Sequence, residues 1–288
     1  MDGILVIDKP AGPTSFDVVR RVRSLLKVQK AGHTGTLDPI ATGVLPICLG
    51  EATKIAGFIT EGNKSYDAVI RFGIETDTQD SAGKVLAEKP APHLDKEMLE
   101  TALNGFRGAL LQTPPMYSAV KINGKRLYEL ARAGEEVERA ARQVTVHELI
   151  LRDFSSTEAT VSVQSSKGFY VRAMAHDLGR VLGCGGHLKS LRRTANGAFT
   201  LAQSIGLDQL MREKDATPYL IPVSQALNEI PPFIVSRFDA ERVVKGIQLE
   251  ANGRQGRFRI LDGDGKLIAM GEASAGKMGY ARVFKKGL

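Results

Sequence analysis

Residues 64–73, KSYDAVIRFG, alternate so regularly that Tyr66, Ala68, Ile70 and Phe72 share one face of an extended strand. A period of two rules out an amphipathic helix here, so this chain builds a sheet. ATVSVQSS (159–166) repeats the alternation, and GILVID (3–8) is a short apolar run stopped by Lys9-Pro10-Ala11-Gly12-Pro13, the pattern of a buried strand ended by breakers. Segments of helical period lie between these pieces. Thr14 and Asp17 form a capping-box signal for a helix with Val18, Val22 and Leu25 or Leu26 inside, and with Arg20, Arg21, Arg23 and Lys27 as a solvated face. A second helix, after Pro90 and Pro92, is predicted to bury Leu94, Met98, Leu99, Ala102 and Leu103. In FYVRAMAHDLGRVLG, Val171, Met174 or Ala175, Leu178 and Val181 or Leu182 form one stripe that Gly183 ends. Arg172 lies off that stripe, which leaves it either exposed or aimed at an anion.

At 288 residues the chain has room for one large domain or a large and a small one. NEIPPFIVS (228–236) has the composition of a linker. The pieces RFRIL and KLIAMG beyond it, joined by the turns NGRQG and DGDG, predict a small all-β unit. Residues 232–288 hold 11 Lys and Arg against 6 Asp and Glu, so much of the excess of 39 over 32 in the whole chain sits in this appended unit. A pI near 9.4 suits a polyanionic partner. TPPMYSAVKINGKRLYELARAGEE (113–136) reads as an excursion from the core, with a proline pair, an Asn-Gly turn and cations interleaved with Tyr117 and Tyr128. That mixture fits phosphate contact and base stacking, or equally an ordinary surface hairpin and helix. No apolar run approaches a membrane span, and MDGILVIDKP lacks the basic and apolar regions of a secretory signal, so a cytoplasmic address without a membrane partner is expected.

Several chemistries are excluded. Cys48 and Cys184 stand alone, which argues against a disulfide framework or a zinc site and for small buried apolar roles. The five histidines have no paired ligand spacing, and Asp77 and Asp80 in TDTQDSAGK lack calcium-loop spacing and read as turn residues. GHTGTLDP is not a P-loop, GCGGHL fails the dinucleotide pattern, and HExxH and GxSxG are absent. An enzyme needing neither metal nor dinucleotide remains, or a non-enzymatic RNA binder. AGHTGTLDPIATGVLP (31–46) contains one carboxylate, Asp38, among glycines 32, 35 and 43 that would let backbone approach a ligand closely. Asp38 is either a nucleophile of the kind used on glycosidic carbon or the first residue of an Asp-Pro turn.

AGHTGTLDPIATGVLPICLGEATK resembles the signature block of the bacterial tRNA pseudouridine synthase B family, which isomerises the T-loop uridine at tRNA position 55. LVIDKPAGPTSFDVV, KSYDAVIRFGIETDTQDSAG, PPMYSAVKINGKRLYELARAG, SSKGFYVRAMAHDLG and LGCGGHLKSLRRT resemble further blocks of that family, in family order. The resemblance implies an α+β fold: a mixed, mainly antiparallel sheet flanked by helices over residues 1–231, with an RNA-binding insertion at about 113–136. It also implies a PUA-like RNA-binding β-barrel at 232–288. Asp38 would be the nucleophile, Arg172 its ion-pair partner, and Tyr66 the ring stacked on the target base. His33 would lie at the flipped nucleotide, Tyr170 and Leu191 would make further substrate contacts, and Lys9 would support the site. The implied partner is the T arm and elbow of tRNA, with no cofactor, metal or guide RNA, and the implied state is a monomer. A non-catalytic tRNA-binding or tRNA-folding protein on the same scaffold is the alternative.

Overall fold

In the computed structural model, which describes residues 1–122, 124–284 and 287, the alternating segment is the strand Lys64–Phe72, with Tyr66, Ala68, Ile70 and Phe72 buried. It lies inside a sheet whose strands run in the order Ile205–Gly206, Gly3–Lys9, Thr42–Leu49, Gly186–Asn196, Lys64–Phe72, Glu158–Ser165, Arg142–Phe154 and Gly108–Gln112. Gly3–Lys9 pairs parallel with Ile205–Gly206, and Thr42–Leu49 parallel with Gly186–Asn196; the other neighbours along this path are antiparallel. The sheet is therefore mixed and mainly antiparallel, as expected.

Both faces of the sheet are covered, which explains why Ile4, Leu5, Val6 and Ile7 are apolar in succession. Leu5 and Ile7 enter one core together with Tyr66 and residues of the helices Ser15–Leu26, Lys96–Asn104 and Val171–Val181. Ile4 and Val6 enter a second core on the other side. The helix Ser15–Leu26 starts at the expected capping box, Thr14 and Asp17 bonding each other's backbone N–H. In the helix Lys96–Asn104, Leu94 sits ahead of the Asp95 N-cap and Met98 is exposed. Leu94 and Leu99, both buried, occupy the two positions of a hydrophobic staple instead. Val181 is likewise exposed, while Leu182 packs against the core. Cys48 and Cys184 are buried free thiols, and burial pushes the Cys48 thiol up to about 12.

The second core corrects the picture of an appended module on a linker. Strands Pro232–Ile234, Gly256–Leu261, Leu267–Ser274, Lys277–Val283 and Leu249–Glu250, in that order, form a five-stranded sheet curled into a half-barrel. The segment read as a linker supplies its first strand, and Arg259 fastens the approach to it through the carbonyls of Ile230 (2.7 Å) and Ser224 (2.9 Å). Leu267, Met270 and Phe284 sit in the same core as Ile4, Val6 and Val44. Full burial of such side chains contributes roughly 1.5–3 kcal/mol each, so the C-terminal sheet helps to stabilise the large one. Nor is the unit all-β: Arg237–Val244 is a helix capped by Ser236, whose hydroxyl accepts from Asp239 N at 3.1 Å. Only Val243 of that helix is buried, so it shows no apolar periodicity to read.

The excursion folds as a small hairpin, Lys121–Ile122 with Lys125–Arg126, followed by the helix Leu127–Arg132. Asn123, half of the expected Asn-Gly turn, lies outside the described residues. Leu127 and Leu130 are buried, while Arg126 and Arg132 lie over the Tyr128 ring at 5.8 and 5.5 Å. Among the described residues no helix is long and apolar enough to cross a membrane.

Candidate active site

The segment from Thr34 to Ala41 has no regular structure, yet it sits against the sheet, so its backbone groups need partners from elsewhere. Three neighbours provide them. From Gly186–Asn196, Asn196 donates to Thr34 O (3.1 Å), and Arg193 donates to Gly35 O (3.0 Å), Thr36 O (3.3 Å) and Val44 O (2.7 Å). From the first helix, the Ser15 hydroxyl accepts from Leu37 N (2.8 Å) and donates to Leu37 O (3.0 Å). From the end of Gly3–Lys9, the buried Lys9 ammonium donates to Ala41 O (2.7 Å) and Pro39 O (3.3 Å). Burial lowers the pKa of Lys9 to about 8. A loop tied at so many carbonyls is rigid before any ligand arrives.

Asp38 lies in this loop, and the turn read there from sequence is present. Its backbone carbonyl accepts from Ala41 N at 3.0 Å, which makes the turn. Its side chain is left free of the turn and meets Arg172. Glycine 43 has a different reason from the one expected: at φ +101° a Cβ would stand 2.2 Å from Arg193 O, so close strand approach, not a ligand, requires glycine there.

Arg172 is buried in the first turn of Val171–Val181. Its Nη2 donates to Asp38 Oδ1 at 3.3 Å, and its Nε lies 2.9 Å from Oδ2 without its N–H being directed at that oxygen, so the second contact is an ion pair rather than a hydrogen bond. Nη1 donates to Thr78 O (2.9 Å) and Nη2 to Tyr117 O (2.8 Å). One guanidinium therefore joins the Asp38 loop, the loop after the tyrosine strand and the excursion. Buried Asp80, read from sequence as a turn residue, is also here, its Oδ2 3.8 Å from Arg172 Nε. Its Oδ1 does serve a turn, accepting from Thr78 Oγ1 (2.6 Å) and Ala82 N (3.0 Å).

Burial raises the pKa of the Asp38 carboxyl, Arg172 pulls it down, Asp80 pushes it up again, and Lys9 opposes. The side chain is still 32% exposed, so water tempers the burial. A reaction needing the carboxylate therefore gains rate as pH rises through a pKa above that of an ordinary aspartate. Asp80→Asn removes one negative charge beside Asp38 and is expected to move the acidic limb of the single-turnover rate to lower pH. A limb that stays in place or moves up would show that Asp80 does not act on Asp38 through its charge.

Tyr66 is buried opposite Arg193 in the strand register. Burial raises the pKa of its hydroxyl, Arg193 opposes this, and the Asp38 charge adds to it, so the three groups share one electrostatic neighbourhood. Leu191 is buried two residues before Arg193, its carbonyl 3.5 Å from Thr42 Oγ1. Half-buried Tyr170 precedes Arg172, and the amide of Gln112 clamps its backbone by accepting from Tyr170 N (2.8 Å) and donating to Tyr170 O (3.0 Å). His33 ends the short strand Ala31–His33, and its Nδ1 accepts from Gly35 N at 3.3 Å; burial and then Arg193 lower its pKa, which favours a neutral ring. Among the described residues no hydrogen bond joins His33 or Leu191 to Asp38. Asp80, read from sequence only as a turn residue, and Gln112, Arg193 and Asn196, not singled out at all, belong to the site. The signal available was the arginine pair Arg192-Arg193 inside the strand-like LRRT, which does not tell the buried one from the half-exposed one.

The description "TruB family pseudouridylate synthase (N terminal domain)" matches residues 23–171, and "tRNA pseudouridylate synthase B C-terminal domain" matches 172–228. The chain is 45% identical over 282 residues to the tRNA pseudouridine synthase B of Pseudomonas aeruginosa (strain UCBPP-PA14), covering 95% of this chain and 92% of that one. It is 50% identical over 250 residues to the protein of the same name from Symbiobacterium thermophilum, covering 86% and 83%. Among solved structures, an H/ACA RNP bound to a substrate RNA containing 2′-deoxyuridine superimposes with a TM-score of 0.74 at 22% identity, covering 98% of this chain and 84% of that one. A Cbf5-Nop10-Gar1 complex gives 0.74 at 24% identity with the same coverage, a likeness of fold.

Proposed function

Because the chain belongs to the TruB family of pseudouridylate synthases, we propose that it isomerises uridine at position 55 in the T loop of tRNA to pseudouridine, with Asp38 as nucleophile. The observation that carries this reading is a partly exposed carboxylate in a loop tied down at many carbonyls, paired with a buried arginine. The reaction breaks the bond from ribose C1′ to uracil N1 and forms one from C1′ to C5. N1 gains a proton and C5 loses one, so nothing is oxidised or reduced and no cofactor is required.

The target base has to leave its stack, at a cost of a few kcal/mol. The ring of Tyr66 offers it a wall, since base–aromatic stacking contributes roughly 1–3 kcal/mol. Tyr170 and Leu191 would border the pocket, and neutral His33 would fill the gap left in the RNA. Lys9 holds the loop from beneath through the carbonyls of Pro39 and Ala41. Arg172 aims the Asp38 carboxylate and offsets part of the burial that disfavours its charge.

The T arm and elbow would be held by the cations around Tyr128 at 113–136 and by the basic residues of 232–288, largely through phosphates and shape. The enzyme would work as a monomer in the cytoplasm without a guide RNA. The test is to incubate dialysed protein with unmodified tRNA and no additive, then map pseudouridine. Product in the T loop at position 55 is expected; tight binding without product would indicate a tRNA-binding or tRNA-folding protein instead.

A further inference from the structure

Arg193 is among the largest fully buried side chains, 1% exposed, and no carboxylate forms an ion pair with it among the described residues. Burying a guanidinium without a counter-ion is costly unless its nitrogens find acceptors. Here the donors go to three carbonyls: Gly35 and Thr36, which precede Asp38, and Val44, which follows it. On one side Arg193 is paired in register with Gly43, the glycine that lets the two strands touch. On the other it is paired in register with Tyr66, and its charge opposes the rise that burial causes in the pKa of the Tyr66 hydroxyl. It therefore touches both ends of the loop that presents Asp38 and the strand that presents Tyr66.

We propose that Arg193 is a positioning residue that sets the gap between Asp38 and Tyr66, and so the width of the slot for the flipped base. The proposal rests on the reading of Asp38 and Tyr66 given above. A fork with three separate bonds fixes a distance in a way that a point charge on a flexible stem cannot. Misplacing reacting groups by about 1 Å costs on the order of 10²-fold in rate. The side chain is 1% exposed and bonded to loop carbonyls, so it has no surface with which to meet substrate.

Arg193→Lys and Arg193→Gln separate geometry from charge. Both are compared with wild type for tRNA affinity, melting temperature and single-turnover rate across pH. Arg193→Lys keeps the cation and loses the fork, so the expected result is a plateau rate down by about 10²-fold, affinity within about twofold and an acidic limb in its original place. Arg193→Gln is expected to lower the plateau similarly and also to move the acidic limb upward, because a cation near Asp38 is gone. In a Tyr66→Phe background the Lys substitution is expected to cost less than in wild type, since the hydroxyl that the guanidinium charge acts on is already missing.

If Arg193→Gln does not fold, the Lys variant and its Tyr66→Phe double carry the test. A wild-type plateau in a folded Arg193→Lys would overturn the proposal, as would a rate loss no larger than the loss of folded protein. The same cost in both Tyr66 backgrounds would overturn the link to Tyr66. Failure of the underlying reading looks different: wild type itself would make no pseudouridine.

Discussion

Asp38→Asn is expected to reduce turnover by about 10⁴-fold or more, which corresponds to about 5 kcal/mol or more of barrier, while tRNA affinity stays within about twofold. The amide has nearly the shape of the carboxylate and can still accept from Arg172 Nη2, so the loop geometry should persist. It lacks the negative charge needed to attack or to stabilise a cationic sugar. The loop itself is held by Lys9, Ser15, Arg193 and Asn196, none of which depends on the Asp38 side chain. Filter binding and single-turnover assays on the same preparation separate the two effects. Equal losses in affinity and rate would mean that Asp38 serves mainly to bind RNA.

Arg172→Lys carries the second largest effect, a rate loss on the order of 10³-fold. The guanidinium bonds Asp38 Oδ1, Thr78 O and Tyr117 O together, and a lysine ammonium reaches fewer of these in fixed directions. Release of Tyr117 should also loosen the excursion that follows it, so affinity for tRNA should fall as well, by severalfold. Arg172→Met is predicted to be worse: Asp38 and Asp80 would lie near each other with only Lys9 left to offset them, and the Asp38 pKa would rise further. Its acidic limb should therefore move to higher pH, the direction opposite to that for Asp80→Asn. Titration of the single-turnover rate checks both signs.

Strand-forming alternation at 64–73 and the capping box at Thr14 were legible in the sequence because they are set locally, by a side-chain period and by a hydroxyl three residues from its target. Asp38 was ambiguous locally because backbone and side chain do separate jobs, a turn and an ion pair, that one residue type serves equally well. Only the blocks shared with a family favoured the second. Arg172 could be placed off the apolar stripe of its helix, but its partners come from positions 38, 78 and 117, which no local pattern connects. Arg193 was hidden by register shifts in its strand, between Leu188 and Ser190 and between Arg193 and Ala195, which break the alternation that would have marked it as inward-facing. Docking of the C-terminal sheet was not legible either, since Leu267, Met270 and Phe284 look like residues of that sheet's own core.

The most direct test of the central claim follows from the hydrogen that leaves C5. Unmodified tRNA carrying tritium at C5 of its uridines is mixed with excess dialysed enzyme, and label released to water is followed in a single turnover. The account predicts release of one uridine's worth of label from wild type, none from Asp38→Asn, and none when position 55 is cytidine. Release at the wild-type rate from Asp38→Asn, or undiminished release from the cytidine-55 tRNA, would contradict it.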